Sequence, residues 1–191
     1  MAIDTPYASV RPAAEADRRV ASDVLVDAFM DDPVVCWLHP ERSERARLQA
    51  EFYRPLLAHG EVYLVGREEG AAVWLPLAAG PWHPESDDEE VDPRLRALGR
   101  VLGDRHPGQA HLYLPCMGVI AARQGSGLGS ALLRHRLARA DADGIAAYLE
   151  ASSPRSRALY RRHGFEDSGP PVQVGDSPLL WPMVREPKHT K

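Results

Sequence analysis

The spacing of apolar residues divides the chain into stretches of period two and stretches of period near 3.6, the repeats that separate strands from helices. Tyr7 to Arg11 reads as a short strand. Val20, Val24, Leu25 and Ala28 then recur at helical spacing with Asp23 and Asp27 turned elsewhere, so an amphipathic helix follows, and Pro33 is expected to end it. A second helical run from about Ser43 to Ala58 places Leu48, Phe52 and Leu56 on one face and bends at Pro55, which has no N–H to donate. Val62 to Val65 and Ala71 to Leu75 flank Arg67-Glu68-Glu69-Gly70 and predict a β-hairpin. Asp92-Pro93 has the form of a helix start, a capping side chain before proline at the first helical position, and Leu95, Leu98 and Leu102 carry one apolar face towards Gly103.

In the second half a strand from His111 to Val119 leads through Ala121-Ala122-Arg123 into Gln124-Gly125-Ser126-Gly127-Leu128-Gly129, and a helix follows to about Ala142. Ile145 to Glu150 is another strand, Ser152 or Ser153 can cap a helix with Pro154 in its first turn, and Gly164 is placed to end it. Leu179 to Val184 completes the strands. Strands mixed with helices, one hairpin among them, predict an α/β or α+β sheet with helices on its faces.

A length of 191 residues suits one domain, 1–191, with one active site. Lys and Arg total 23 against 27 Asp and Glu, a net charge of −4, which argues against a nucleic-acid partner. Two cysteines, Cys36 and Cys116, with no leading signal-like segment and no long apolar stretch, lead us to expect a reduced, cytoplasmic protein with no membrane association. Glu85 to Asp92, a block of acids after the turn-like Gly80-Pro81-Trp82-His83-Pro84, reads as a solvated loop.

The glycine loop between strand and helix changes the picture. Glycines let the backbone approach a ligand and take positive φ without steric penalty, and the leading N–H groups of the helix have no partner inside it. Together with the helix dipole they form a cradle for phosphate; the plain alternative is a flexible turn. A dinucleotide fingerprint fails, because its third glycine falls on Ser130 or Leu132, and a nucleotide-triphosphate loop fails for want of a nearby lysine.

Gln124-x-x-Gly127-x-Gly129 does fit the pattern Q/R-x-x-G-x-G/A, and here the chain resembles the GNAT superfamily of acyltransferases. A second anchor is Leu149 through Phe165, which is similar to that family's strand, its acyl-CoA-side helix and the L-Y-x-x-x-G-F ending at Leu159-Tyr160 to Gly164-Phe165. Patches at Arg11 to Asp17, Ala28-Phe29-x-Asp31-x-Pro33 and Gly70 to Trp74 extend the likeness towards the branch that contains puromycin N-acetyltransferase. Ser153 stands where many members have Asn, and Ser156 where the puromycin enzyme has it.

The resemblance implies a central mixed, mostly antiparallel sheet with helices on both faces. It also implies direct transfer of acetyl from acetyl-CoA to an amine, in a ternary complex with a small-molecule acceptor. Gln124, Gly125, Ser126, Gly127, Leu128, Gly129 and Ser130 would then hold the CoA pyrophosphate, mainly through backbone amides. Met117, Gly118 and Val119 would meet the pantetheine arm where their strand splays from its neighbour. A monomer or homodimer is expected.

Such a transfer needs a neutral nucleophile, a polarised thioester carbonyl and a proton for the departing thiolate. Tyr160 matches the family tyrosine that supplies the proton, its plain alternative being a buried structural tyrosine. Glu150, at the end of a strand, can take the amine proton directly or through water, or can be a surface carboxylate paired with Arg155 or Arg157. Cys116 with His111 or His163 lacks a distinct activating base and reads as a small buried residue, and Cys36 with His39 is half of a zinc site without its second pair, so no metal is expected. Phe29, Asp32 and Trp37 fall where the family lines its acceptor cleft, and an aromatic wall beside a carboxylate suits an ammonium. Core packing for Phe29 and turn capping for Asp32 are the competing roles. The competing function is a catalytically degenerate acyl-CoA-binding sensor.

Overall fold

The computed structural model describes residues 9–82 and 92–188. Their elements follow the order β1 (Val10–Pro12), α1 (Arg18–Phe29), α2 (Pro33–Leu38), α3 (Arg42–His59), β2 (Glu61–Val65), β3 (Gly70–Leu77), α4 (Pro93–Gly103), β4 (His111–Val119), α5 (Leu128–Asp143), β5 (Ala146–Ala151), α6 (Pro154–Arg162), β6 (Glu166–Asp167) and β7 (Trp181–Arg185). The strands form one sheet in the order β1-β2-β3-β4-β5-β7-β6. Only β4 and β5 run parallel; the other neighbours are antiparallel. This is the mixed, mostly antiparallel sheet that the family resemblance implies. The start of the Tyr7 to Arg11 strand and the acids before Asp92 lie outside the described residues.

Each face of the sheet carries helices. On one, the apolar stripe of α5, including Leu132, Leu133 and Leu137, packs on Trp74, Leu112 and Leu149, and Tyr160 of α6 joins the same core. On the other, Ala21, Val24 and Leu25 of α1 and Tyr53 and Leu57 of α3 cover Leu64, Val73 and Cys116. Asp23 and Asp27 face out from α1 as its pattern predicts.

Three sequence expectations need correction. Pro33 does not simply end the first helix: it occupies the first position of α2, and Asp32 caps that helix by accepting from Val34 N at 2.9 Å and Val35 N at 3.3 Å. The buried face of α3 is Gln49, Tyr53 and Leu57, one residue on from Leu48, Phe52 and Leu56, and Phe52 is 43% exposed. Amphipathic residues on both stripes make the two faces hard to separate by spacing alone, and α1 selects the one carrying Tyr53. The final strand begins at Trp181, after a bridge between Val172 and Leu180, and the short β6 has no pattern of its own.

The chain's most consequential irregularity is in β4. Between Val73↔Cys116 and Leu75↔Tyr113, β4 carries one residue more than β3, a bulge at Leu114–Pro115 where proline has no N–H to give the ladder. The extra residue resets the alternation of faces, so Leu114 and Met117 enter the α5 core while Cys116 enters the α1–α3 core. At the same place β4 leaves β5. Their parallel register runs only through His111↔Ala146, Leu112↔Ala147 and Tyr113↔Tyr148. Beyond it a gap opens between the C-terminal part of β4 and Leu149–Ala151.

Candidate active site

The glycine loop closes one end of this gap. After a 3-10 turn at Ala121–Arg123 the backbone takes φ of +83° at Gly125 and +88° at Gly127, the left-handed region that glycine enters without penalty. Gly127 is the N-cap of α5 and provides no side-chain cap, so the first amides of a 16-residue helix are left for an external acceptor. A Cβ on Gly127 would meet nothing within 4 Å, which leaves open space beside the loop. The loop is held from behind. Ser126 Oγ donates to Arg123 O at 2.6 Å, Gln124 accepts from Arg155 at 3.2 Å and donates to Val119 O at 3.4 Å, and Ser130 Oγ lies 3.0 Å from His163 Nε2. The Leu128 side chain is buried and anchors the helix start, leaving its backbone to the loop. Gly129 lies against Leu159 and Met117.

Met117, Gly118 and Val119 lie in the stretch of β4 that pairs with β3 but not with β5. Met117 packs into the α5 core with Val119 beside it. At Gly118 a Cβ would stand 2.5 Å from Ala28 Cβ and 3.2 Å from Phe29, so the close contact between α1 and β4 requires glycine here. These residues fit a CoA thioester: free helix amides for pyrophosphate, and an unpaired strand edge for the amides of its arm.

Tyr160 and Glu150 come to the gap from opposite sides. Tyr160 belongs to the α5–α6 core, is 8% exposed and packs edge-on against Phe165, ring centroids 5.9 Å apart. Leu149 and Ala151 face that same core, so alternation turns Tyr148 and Glu150 to the other side. Burial pushes the Tyr160 phenol up, and Cys116, Asp32 and Glu150 are near enough to push it further. It therefore stays protonated and can donate.

Glu150 is not the surface carboxylate that pairing with Arg155 or Arg157 would require. Its side chain is 6% exposed, Arg155 is engaged with Gln124, and Arg157 binds Asp167. Burial pushes its carboxyl up to about 7, against the opposing pull of the Tyr113 and Tyr148 phenols. The Tyr113 hydroxyl donates to Glu150 Oε2 at 3.0 Å, while the Tyr148 hydroxyl makes no well-formed hydrogen bond among the described residues. A carboxyl poised near neutrality is suited to exchange protons.

The cluster expected to line an acceptor cleft separates. Phe29 packs on Tyr53 in the α1–α3 core, while Trp37 belongs to a different cluster with Val34, Leu98 and Leu180. The Trp37 indole donates to Asp176 at 2.8 Å and lies under Arg94, so the two aromatic residues do not form one wall. Asp32 caps α2 and accepts from Ser152 Oγ at 2.7 Å, tying that helix to the residue just after β5, and burial raises its pKa. Ser153 and Ser156 hold each other in a reciprocal cap at the start of α6. Cys116 is buried, which pushes its thiol up and away from a thiolate. Among the described residues no group of three or more His, Cys, Asp or Glu could hold a metal, and no helix is long and apolar enough to cross a membrane.

Sequence reasoning missed Tyr113, Tyr148 and His106, which surround Glu150. His106 Nε2 lies 3.7 Å from Glu150 Oε1, and its ring packs on Trp82, Tyr113 and Tyr148 at centroid distances of 4.4–4.5 Å. The parallel register would have placed Tyr148 beside Tyr113, but nothing in the pattern locates the turn after α4 that carries His106.

Residues 24–165 match the acetyltransferase (GNAT) family. An uncharacterised N-acetyltransferase of Schizosaccharomyces pombe is 28% identical, over 90% of this chain and 81% of its own. A Corynebacterium glutamicum structure, described as histone acetyltransferase HPA2 and related acetyltransferase, is 29% identical over 96% of this chain and 98% of its own, with a TM-score of 0.69. A GNAT family acetyltransferase from Elizabethkingia anophelis, solved with acetyl-CoA bound, shares the fold at a TM-score of 0.58 and 15% identity, over 95% of this chain and 99% of its own.

Proposed function

This chain belongs to the acetyltransferase (GNAT) family, and from that premise we propose that it is an N-acetyltransferase moving the acetyl group of acetyl-CoA onto the amine of a small-molecule acceptor. The observation that carries this reading is the opposed placement of Tyr160 and Glu150 at the β4–β5 gap, one end of which is the glycine loop. A proton donor on one face and a carboxyl near neutrality on the other match the two proton movements of amine acylation.

Bound acetyl-CoA would supply the activated acyl group. The first amides of α5 and the backbone from Gln124 to Ser130 hold its pyrophosphate. The unpaired edge of Met117, Gly118 and Val119 orients its arm so that the thioester sits between the two faces. Glu150 takes the proton of the attacking amine, directly or through one water, and Tyr160 gives its proton to the departing sulfur. Both proton positions are fixed before reaction, which is worth more than the same groups free in water. Asp32 and Ser152 mark the edge of the acceptor side, and Phe29 and Trp37, parted between two apolar clusters, form no aromatic cage there. Within the family the puromycin-type branch remains our reading of the sequence patches, and it favours small amines.

The test is a screen of amine classes with acetyl-CoA, reading free thiol against a control without acceptor. Acceptor-dependent release with a mass gain of one acetyl group supports the reading. Tight acetyl-CoA binding with background hydrolysis alone would instead mark a sensor.

A further inference from the structure

His106 and Glu150 meet with two acceptor atoms facing each other. The direction of the hydrogen bonds behind them explains this. His111 Nδ1 lies 2.8 Å from the Gln109 carbonyl, which can only accept, so that nitrogen carries the proton. A neutral His111 then has a bare Nε2, and it lies 3.0 Å from His106 Nδ1, which must donate to it. A neutral His106 is thereby left with a bare Nε2, 3.7 Å from Glu150 Oε1 and too far for a hydrogen bond. Both of those atoms are buried without a hydrogen-bond partner among the described residues.

We propose that the Gln109 carbonyl, His111 and His106 form a tautomer lock that presents a lone pair rather than a proton to Glu150, and so sets which form of the carboxyl the site favours. With Glu150 ionised, two lone pairs confront each other in a buried place. With Glu150 protonated on Oε1, the new O–H points at His106 Nε2 while Oε2 keeps the hydroxyl of Tyr113. The lock therefore strengthens Glu150 as a proton acceptor and gives the captured proton a defined place. His106 and His111 are positioning residues; neither need touch the reactants.

The surroundings of the carboxyl are consistent with this account. From β4 it meets Tyr113, from its own strand Tyr148, from the turn after α4 His106, and across the gap Tyr160. Arg105 acts on the neighbouring Tyr148 phenol, pulling against the effect of its burial. Burial, reinforced by His111, holds His106 far below the ordinary histidine range, as a neutral imidazole requires. The His106 side chain is 1% exposed, so solvent does not supply the missing proton.

The catalytic meaning of the lock rests on Glu150 acting as the base, but its physical content does not, and it can be tested without substrate. Nitrogen-15 NMR of the whole protein should show both His106 and His111 carrying their proton on Nδ1, with Nε2 bare across about pH 5 to 8. In His111→Phe the lock is gone, and the His106 proton should move to Nε2. Carbon-13 NMR of the Glu150 carboxyl should then titrate lower by about one pH unit, the low end for a hydrogen bond to a charge because the two atoms start 3.7 Å apart. A purely structural role for His111 would lower the melting point without moving the proton between ring nitrogens. A proton on His106 Nε2 in the wild-type protein, or an unchanged tautomer in His111→Phe, overturns the proposal. Should that variant fail to fold, the wild-type spectra decide alone. Loss of amine turnover with the lock intact would count against the proposed reaction only.

Discussion

The Tyr113 hydroxyl donates at 3.0 Å to Oε2 of Glu150, two residues beyond Tyr148, its partner in the last paired position of β4 and β5, where the two strands begin to part. The bond favours the ionised carboxyl and so opposes burial, which favours the neutral one. Removing it in Tyr113→Phe should raise the Glu150 pKa above about 7. A charge-assisted hydrogen bond contributes about 1.5–3 kcal/mol, so the acid limb of kcat/KM should move up by about one to two pH units. An acid limb that stays in place would remove Glu150 from the role of base.

Glu150→Gln should both slow the reaction and change how stability depends on pH. The folded carboxyl is raised from its ordinary 4.5 to about 7. Its favourable contribution is therefore complete below about 4.5 and is lost as pH rises through about 7. The amide that replaces it would resemble the protonated carboxyl at every pH. The melting temperature of the variant relative to wild type should accordingly rise across that window, and calorimetry at several pH values measures it. Turnover should fall by about 10²–10⁴-fold.

For Tyr160→Phe the ring keeps its place against Phe165, and only the proton donor is lost. Single-turnover acetyl transfer should slow by about 10²-fold, the lower end for general-acid catalysis because a thiolate leaves readily. Acetyl-CoA affinity should barely change, since the hydroxyl matters most when charge develops on sulfur. Product formation at the wild-type rate would make Tyr160 a packing residue.

Gly127→Val meets no neighbour in the protein, so its effect should come through φ of +88° and through obstruction of the space beside the loop. Forcing a side chain into the left-handed region costs about 1–2 kcal/mol. The thermal shift on adding acetyl-CoA should shrink beyond that loss of stability. A full ligand-induced shift in the folded variant would move the pyrophosphate away from this loop.

Gly118→Ala probes a different contact, since a Cβ at this position would stand 2.5 Å from Ala28 Cβ. Overpacking of this kind costs about 1–3 kcal/mol and should push α1 away from β4. Denaturant unfolding reads the loss directly.

How much of the fold and the site is legible in the sequence depends on the range of the interaction concerned. The hairpin, the Asp92 cap, β4 and the glycine loop are readable because each is set by neighbours within a few residues, and the structure places them as the sequence suggests. The buried stripe of α3 differs by one residue from its spacing-based assignment because the choice is made by α1, through contacts outside the helix itself. The burial of Glu150 is likewise hidden, since it depends on Tyr113, Trp82 and His106 converging from separate elements. Phe29 and Trp37 look alike on paper, yet a tertiary division between two apolar clusters sends them apart.

The bulge at Leu114–Pro115 divides β4 into two registers that answer to different neighbours. His111 and Tyr113 serve the carboxyl, whereas Met117, Gly118 and Val119 border the loop and α1. Deleting the one extra residue there would restore the period of two with Val73↔Cys116 and Leu75↔Tyr113 still in register, so the faces on both sides would be kept and only the bulge itself lost. Combinatorial redesign can therefore vary the first half to retune the proton affinity of Glu150 while the second half, beyond the bulge, keeps its contacts with α1 and the glycine loop.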